Sequence, residues 1–387
     1  MSGIVNGLIA PEVISAGTTA GVSEALAELN AGDYASVVRG AGTKMDFANP
    51  PAALHAVLDV SGLNRLVEFA PGDLVVRVEA GMPLAALQSR LAEDGLRLAV
   101  DEVVPGSTVG GVVATGLAGP LRYGFGAVRD LLIGVTVVRA DGVIAHGGGK
   151  VVKNVAGYDL CKLFTGSYGT LGVLTEATFR LHPVPEASAY VTTVFPDPAS
   201  VAGALAELVA STAMPSAIEV DRPECEGPVT VTALVEGSTP GVRAREATIA
   251  RHLGRPTTSS DAAPPWWGRL PDGAVVRLTT TNEGVPALIG EIEQAAGAAG
   301  VDIAVRGSAG GLLYAGVPAA AVSTILPVLR AAAGRHGGFA TLMRAPASVR
   351  AGVDGWGPVP AIGLMRQVKQ VFDPSRLLSP GRFVGGI

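Results

Sequence analysis

Two glycine-rich segments carry the clearest chemical signal in this sequence: RGAGT at residues 39–43 and PGSTVGG at residues 105–111. Each lies next to a predicted strand. Glycine permits positive φ and a close approach of the backbone, so successive N–H groups can converge on an anion such as a diphosphate. The hydroxyls of Ser107 and Thr108 would add donors to the anion. Together the segments indicate an anion-binding cradle, although either one alone is also typical of a plain turn.

The usual nucleotide motifs do not account for these glycines. The segments GAGTKM and GFGAVR both lack the third glycine of G-x-G-x-x-G. The segment GGGKVV has neither the upstream glycine nor the hydroxyl residue of a Walker A sequence. Both the Rossmann and the P-loop interpretations are therefore disfavoured.

The second glycine segment lies inside a run without charges, residues 103–121. The run has about the length that crosses a bilayer, roughly 18 apolar residues or more. Its glycines would each weaken a helix by about 1 kcal/mol, and prolines stand near both ends of the run. We therefore expect exposed backbone here rather than a membrane helix. The residues concerned are Pro105, Gly106, Gly110, Gly111, Gly116, Gly119 and Pro120.

Composition limits the possible partners. The length of 387 residues predicts two or three globular domains. The balance of 29 Lys and Arg against 34 Asp and Glu gives no support for nucleic-acid binding.

The two cysteines, Cys161 and Cys225, lack zinc-ligand spacing. We expect both to be packing thiols in a reducing compartment, with no metal site. The N-terminus has no basic region of a secretory signal, so the cytoplasm is the expected location.

The first half mixes helices and strands around its glycine-rich turns. The pattern predicts a helix that begins at a capping threonine and ends near Gly32, then a strand that ends at Arg39. A second helix follows Pro83 and ends before Gly95. A β-hairpin is predicted to turn at Asp141 and Gly142. A further alternating strand follows Gly172.

In the second half, six strand-like segments alternate with four alanine-rich helical segments. This order predicts an α+β layer of antiparallel strands with helices on one face. We expect three domains: residues 1–185, a cap at 186–355, and a C-terminal helix and tail at 356–387 that pack back on the first domain.

Five motifs in order resemble the FAD-binding domain of the vanillyl-alcohol-oxidase family, also called the PCMH-type flavin fold. They are VVRGAGT, VEAGMPLAALQSRLAEDGLRL, PGSTVGGVVATG, YGFGAVRDLLIGVTVVRADG and LFTGSYGTLGVLTEATFRLHP, and they cover roughly residues 15–185. The resemblance implies a two-subdomain FAD-binding domain followed by an α+β cap with an antiparallel sheet. The first loop would form one backbone wall of the FAD diphosphate site and the second loop would face it.

Two longer segments resemble the smaller FAD-binding subunit of bacterial glycolate oxidase. They are GGGKVVKNVAGYDLCKLFTGSYGTLG and FDPSRLLSPGRF, and the second also resembles D-lactate dehydrogenase relatives. The loop KNVAGYD could bring a cation, an amide and a phenol to a flavin or an anionic substrate, whereas without the resemblance a surface turn with a buried tyrosine fits as well. The resemblance implies these FAD-binding residues: Arg39, Gly40, Ala41, Gly42, Thr43, Pro105, Gly106, Ser107, Thr108, Gly110, Gly111, Gly116, Arg122, Tyr123, Lys153, Asn154, Gly157, Tyr158, Gly169 and Val173, with Gly166 near the adenine or ribose.

Oxidation of a 2-hydroxy acid also needs a base, and no catalytic residue is assigned. The candidates are the five histidines, His55, His146, His182, His252 and His336, of which His336 is expected to be solvent-exposed rather than catalytic. Larger relatives carry a histidine-rich metal-binding pattern in the second half. Here the corresponding segment, residues 306–316, reads RGSAGGLLYAG. This departure favours an auxiliary subunit over an independent enzyme. Trp266 and Trp267 are expected to pack in the cap.

Three functional hypotheses follow from the resemblance. The first is an FAD-binding subunit of a glycolate-oxidase-like complex, with a larger catalytic flavin subunit and an iron–sulfur subunit as partners and glycolate or D-lactate as the substrate. The complex could hold it at the periphery of the inner membrane. The second is a free-standing FAD-dependent oxidase or dehydrogenase, and the third is a flavin-free scaffold. Relatives with covalent flavin use a histidine or cysteine near the ring. Neither loop contains one, so FAD is expected to be non-covalent.

Overall fold

The computed structural model describes residues 3–149, 158–350 and 352–387. Contacts divide the chain into two compact units. The first unit comprises Met1–Ala118, Gly126–Val184 and Trp356–Ile387, and the second comprises Gly119–Phe125 and Pro185–Gly355. The mixture of helices and sheets confirms the α+β fold class.

The strands of the first unit are β1 (Ile4–Val5), β2 (Leu8–Ile9), β3 (Glu12–Ser15), β4 (Ser36–Arg39), β5 (Ala56–Asp59), β6 (Leu66–Ala70), β7 (Val75–Glu79), β8 (Leu96–Arg97), β9 (Leu132–Val138), β10 (Ile144–Gly148), β11 (Val173–Arg180) and β12 (His182–Pro183). Those of the second unit are β13 (Ala187–Phe195), β14 (Ala217–Arg222), β15 (Val229–Gly237), β16 (Thr258–Ser260), β17 (Ala274–Thr279), β18 (Ala304–Ser308), β19 (Leu312–Val317) and β20 (Ala340–Arg344). The helices in chain order are α1 (Thr19–Ala31), α2 (Leu84–Ala92), α3 (Val109–Thr115), α4 (Arg122–Phe125), α5 (Val128–Leu131), α6 (Leu160–Phe164), α7 (Pro198–Val209), α8 (Thr239–Leu253), α9 (Val285–Ala299), α10 (Val322–Arg335), α11 (Ala347–Arg350) and α12 (Ile362–Phe372).

The first unit contains two main sheets. Strands β3, β5 and β4 form a parallel sheet in that order, and β10, β9, β11, β7 and β6 form an antiparallel sheet. Helix α1 is N-capped by Thr18, whose hydroxyl accepts the N–H of Gly21, and its apolar side packs against β5. The strand that follows ends at Arg39, so the first glycine loop begins where the parallel sheet ends, as the sequence predicts.

Other local predictions for this unit are also confirmed. Helix α2 begins after Pro83 and is over before Gly95, which has a positive φ of 68°. Strands β9 and β10 form the expected hairpin with Gly142 at φ 82° in its turn. Both cysteines are buried thiols. Among the described residues, no helix combines the length and the apolar character needed to cross a membrane.

The second unit is built on one eight-stranded antiparallel sheet, in the order β16-β13-β15-β14-β18-β19-β17-β20. Alternate residues of the strands, such as Val231 and Val276, face a core shared with α7, α8, α9 and α10. The helices therefore cover one face, as expected. On the other face, Asp221 of β14 lies opposite Arg306 of β18, and Arg306 lies opposite Tyr314 of β19. The sequence pattern missed β16 and β20.

Candidate functional site

A cleft in the first unit gathers segments that are far apart in the chain. Its volume is about 760 Å³, including space open to solvent. The lining residues come from the end of β4 and the loop after it, from β7 and α3, from the loop before β11, and from the C-terminal segment. They are Val38, Gly40, Ala41, Gly42, Thr43, Lys44, Met45, Val60, Ala80, Thr108, Gly110, Gly111, Ala114, Thr115, Ser167, Tyr168, Gly169, Gly172, Val173, Leu174 and Arg382.

The first wall is the loop from Gly40 to Thr43, which the sequence singled out. Its geometry requires glycine at two points. Gly42 has φ 79°, and a Cβ on Gly40 would lie 2.5 Å from the hydroxyl oxygen of Thr108. Because that separation is too short for a real contact, the bare backbone of Gly40 is what lets the two glycine loops approach each other. Arg39 lies behind the wall, where its guanidinium pairs with the Asp59 carboxylate at 2.5 Å, with both side chains buried.

The second wall contains the short helix α3 at residues 109–115, although the glycines of this segment were expected to weaken a helix. The Thr108 hydroxyl caps the helix by accepting the Gly111 N–H at 3.2 Å, and Gly116 ends it in the left-handed region at φ 60°. Burial of Val112 and Val113 adds to the cap and offsets the helix penalty of the two glycines.

The two glycines of α3 play different structural roles. A Cβ on Gly110 would lie 2.7 Å from the Cβ of Ala80, so this glycine is needed for packing of the helix against the end of β7. A Cβ on Gly111 would face Lys44, 3.6 Å from its Nζ, and would otherwise meet only the Thr108 hydroxyl at 3.2 Å. Gly111 is therefore the glycine that leaves room on the cleft side.

The loop before β11 supplies a third wall. The N–H groups of Gly166 and Tyr168 donate to the Val113 and Ala114 carbonyls at 2.9 and 2.8 Å, which ties this loop to α3. Tyr168 lines the cleft with φ 54°, and its ring packs edge-on against Trp356 at 5.3 Å. Of the predicted residues in this region, Gly169 and Val173 line the cleft, whereas Gly166 lies behind it.

Lys44 is a cleft residue that the sequence analysis missed. Its ammonium is buried and donates to the Ser107 hydroxyl at 2.5 Å and to the Thr43 hydroxyl at 3.3 Å. Burial lowers the pKa of Lys44 to about 8, and the negative charge of Glu102 opposes the shift. Its position directly after the first glycine loop could have identified Lys44 from the sequence.

Arg382 is the second residue that was missed. It reaches the cleft from the C-terminal segment and donates to the Phe47 carbonyl at 2.7 Å and the Met45 carbonyl at 3.4 Å. Burial lowers the pKa of Arg382 to about 10. No local pattern in the sequence identifies it, because its partners lie more than 300 residues earlier in the chain.

The remaining predicted residues lie outside the cleft lining. Pro105 and Gly106 precede the second wall, and a Cβ on Gly106 would be 3.6 Å from the Thr43 methyl group. Arg122 and Tyr123 belong to α4 in the second unit. Tyr158 is 95% exposed, so it is not the buried tyrosine of the alternative interpretation. Lys153, Asn154 and Gly157 lie outside the described residues.

No histidine is among the residues that line the described cleft. The His55 ring accepts the Ala35 N–H at 2.9 Å, which is a structural contact. The expectation that His336 is solvent-exposed is wrong, since its ring is half-buried and lies 3.0 Å from the Glu291 carboxylate. Trp267 packs edge-on against Tyr190 at 5.1 Å.

Two family models match the chain in the parts that form this cleft. Residues 10–148 match the FAD binding domain, and residues 356–383 match the C-terminal domain of FAD linked oxidases. The chain therefore carries an FAD binding domain and a segment similar to the C-terminal domain of FAD linked oxidases. FAD is its cofactor, and the second match contains Arg382.

Curated relatives of the chain include proteins named as enzyme subunits. It is 40% identical to "Glycolate oxidase subunit GlcE" of Escherichia coli over 154 residues, 39% of this chain and 43% of the relative. It is 33% identical to "Glycolate oxidase subunit GlcD" of Bacillus subtilis over 189 residues, 48% of this chain and 40% of the relative. A mitochondrial D-lactate dehydrogenase of Arabidopsis thaliana is 36% identical over 177 residues, 46% of this chain and 30% of the relative. The matches thus span less than half the length of these relatives.

Solved structures share the fold over nearly the whole chain. p-Cresol methylhydroxylase gives a TM-score of 0.74 at 15% identity, covering 96% of this chain and 88% of that one. An alkyldihydroxyacetonephosphate synthase gives 0.72 at 16% identity, covering 97% and 77%. At this identity the similarity concerns the fold alone, and it confirms the expected PCMH-type fold with an antiparallel sheet domain.

Proposed function

We propose that the chain holds FAD non-covalently in the first-unit cleft, with the diphosphate between the loop at residues 40–43 and the start of α3. The meeting of these two glycine segments in one cleft is the observation that carries the proposal. The residues fit an anionic group, because Gly40 and Gly111 line the cleft with bare backbone and leave space for it. The Ser379 hydroxyl is a further potential donor, since it is buried with no hydrogen-bond partner among the described residues, 3.4 Å from where a Cβ on Gly169 would be.

FAD supplies a hydride acceptor when it is bound. The residues of this chain would bind and orient it. The loop at residues 40–43 would donate backbone N–H groups, the start of α3 would leave space for the diphosphate, and the Tyr168 loop and Arg382 would shape the rest of the cleft. The described lining includes neither histidine nor cysteine, the two residue types expected to attach flavin covalently.

We further propose that the chain is an auxiliary subunit of a complex that oxidises a 2-hydroxy acid such as glycolate or D-lactate. The names of the relatives support a subunit role and a hydroxy-acid substrate. The segment at 306–316 supports dependence on another chain, because it offers no histidine as a base and its Arg306 is held by Asp221 at 2.7 Å. A larger flavin subunit and an iron–sulfur subunit would then complete the enzyme and pass electrons on.

The cofactor proposal is tested by the flavin content of Gly111→Val. A β-branched side chain at this position would enter the space beside Lys44, so the folded variant should purify without FAD. Gly203→Val is a matched control, since Gly203 lies in helix α7 and a Cβ there would have no neighbour within 4 Å, and it should retain full flavin. Acid should release the wild-type flavin completely. Full occupancy in Gly111→Val, or flavin that stays with the denatured polypeptide, would contradict the proposal.

The subunit proposal is tested by anaerobic mixing of the isolated, FAD-loaded chain with glycolate or D-lactate. Without a positioned base the rate should be lower by roughly 10²- to 10⁴-fold, so the flavin absorbance should persist. Addition of a larger flavin subunit and an iron–sulfur protein should allow bleaching by the substrate. Rapid bleaching of the isolated chain would instead establish a free-standing enzyme.

A further inference from the structure

Lys44 is a buried cation with hydroxyl partners. Its residue exposure is 8%, and its ammonium donates to the hydroxyls of Ser107 and Thr43. Among the described residues, no carboxylate oxygen lies within 4 Å of it, and Glu102 acts only at longer range. A buried ammonium without a counter-charge is destabilising, because hydroxyl dipoles replace only part of its hydration.

Two other buried cations of the first unit are paired with carboxylates. Arg39 pairs with Asp59 at 2.5 Å, and Lys369 pairs with Asp373 at 2.6 Å. Lys44 therefore differs from them in lacking an anion of its own. The ammonium also faces the open side of Gly111, where the nearest position of a side-chain carbon would be 3.6 Å from Nζ. An anion bound beside Gly111 would therefore neutralise the Lys44 ammonium and occupy this open space.

We propose that Lys44 provides the counter-charge for the FAD diphosphate and that this ion pair supplies a large part of the affinity for the cofactor. This inference rests on the proposed placement of FAD in the cleft. The loop at residues 40–43 would hold phosphate oxygens through its N–H groups, and the third N–H of the Lys44 ammonium, which has no acceptor among the described residues, would donate to one of them.

A consequence is that FAD binding takes up a proton from solvent. In the flavin-free protein, burial holds the pKa of Lys44 at about 8, so a growing fraction of the lysine is neutral above that pH. The diphosphate favours the charged form, and binding above pH 8 then requires protonation of the amine. The other charged groups around the site are Glu102, the Arg39–Asp59 pair and Arg382. Burial lowers the pKa of Arg382 to about 10, so its charge begins to fall only at the upper end of the range from pH 7 to 9.5.

The experiment is an FAD titration of flavin-free protein, followed by flavin fluorescence and calorimetry, between pH 7 and 9.5. Wild-type affinity should be constant below pH 8 and fall by up to about ten-fold per pH unit above it. Calorimetry at pH 9 in two buffers of different ionisation enthalpy should report uptake of close to one proton. Lys44→Met should bind about 10- to 100-fold more weakly with a flat pH profile. Lys44→Arg should restore tight binding, also without the pH dependence.

Ligand fragments and a control variant separate this inference from the proposed function. ADP carries a diphosphate and should show the same dependence on Lys44, whereas riboflavin carries no phosphate and should show none. Lys162→Met, at an exposed lysine paired with Asp159, should match the wild type. If the wild type does not bind FAD stoichiometrically, the proposed function fails. If the wild type binds FAD but without proton uptake, or if Lys44→Met binds it as tightly, the inference about Lys44 is overturned.

Discussion

Lys369 and Lys44 are buried lysines of the same unit in two contrasting regions. The Lys369 ammonium donates to the Asp373 carboxylate at 2.6 Å and to the carbonyls of Thr170 and Leu378 at 2.7 and 2.9 Å. The Asp373 carboxylate in turn accepts the N–H groups of Leu377 and Leu378. All three N–H groups of the Lys369 ammonium therefore donate to acceptors within the chain. Among the described residues, the Lys44 ammonium has only two partners, both hydroxyls.

This difference distinguishes a structural cation from a ligand-binding one. A charge that is fully paired inside the protein fixes the segments that meet there, in this case α12 and the loop before β11. A charge with neutral partners destabilises the free protein and becomes useful when an anion arrives. Burial lowers the pKa of both lysines, so burial alone does not separate them. The two lysines are distinguished instead by their hydrogen-bond partners, which are a carboxylate and two carbonyls for Lys369 and two hydroxyls for Lys44.

The largest expected effect is on stability, at Lys369. Lys369→Met would leave the Asp373 carboxylate buried without a cation and two carbonyls without a donor, so the free energy of unfolding should fall by about 3–5 kcal/mol. Urea denaturation of the flavin-free protein measures this loss. The double variant with Asp373→Asn should recover part of it. A loss below about 1 kcal/mol would mean that the pair is not the structural anchor of α12.

Lys44→Met is expected to have a smaller effect on the free energy of unfolding, and one of opposite sign. Its pKa is about 8 in the folded protein against 10.5 for the ordinary value, so between these values the unfolded chain binds more protons than the folded one. Stability of the flavin-free protein should therefore rise with pH across this window, by on the order of 3 kcal/mol in total. Lys44→Met should remove that rise and be more stable than the wild type at pH 7. Urea midpoints from pH 7 to 10 measure both effects, and identical pH profiles would contradict the assignment.

The two adjacent glycines of α3 provide a third comparison. Gly110→Ala places a methyl group 2.7 Å from the Ala80 Cβ and 2.9 Å from its carbonyl oxygen, so it should destabilise the fold by about 1–3 kcal/mol. Gly111→Ala meets only the Thr108 hydroxyl at 3.2 Å, and the gain in helix propensity should keep stability within about 1 kcal/mol of the wild type. Thermal unfolding of both flavin-free variants tests the difference. Equal losses would show that both glycines serve packing.

The smallest effect is expected for an exposed ion pair. Arg90 donates to Asp94 at 2.7 Å on the surface of α2. Solvent and salt screen such a pair, so Asp94→Asn should leave the urea midpoint unchanged within error. A clear loss of stability would weaken the distinction between buried and exposed cations on which the comparison of the two lysines rests.

Local signals predicted much of the fold. The threonine cap and the end near Gly32 identified α1, and the sequence pattern identified six of the eight strands of the second unit, because these features depend on residues close together in the chain. The first wall of the cleft was predictable for the same reason. By contrast, the helical form of residues 109–115 depends on the Thr108 cap and on burial of its valines against other segments, which outweigh the low helix propensity of glycine.

The parts of the site that the sequence did not reveal depend on distant contacts. Arg382 belongs to the cleft because its guanidinium binds the Met45 and Phe47 carbonyls, an arrangement that no spacing in the sequence encodes. Lys44 stood beside a recognised motif, but its importance lies in its burial and in its lack of an anion, which only the structure shows. His336 was misjudged for a related reason, since its partner Glu291 comes from another helix.

The position of Arg382 also sets the timing of cofactor loading during synthesis. The other lining segments end at Leu174, and the main part of the second unit, Pro185–Gly355, is synthesised between that point and Arg382. During translation, the segments that form three walls of the cleft are therefore synthesised well before the segment that contains Arg382. The C-terminal segment must then find β4, where the Ser36 N–H donates to the Leu377 carbonyl at 2.8 Å, across a very long loop. Contacts across so long a loop form slowly and late in folding, so the complete cleft would be available to FAD only after the second unit has been synthesised.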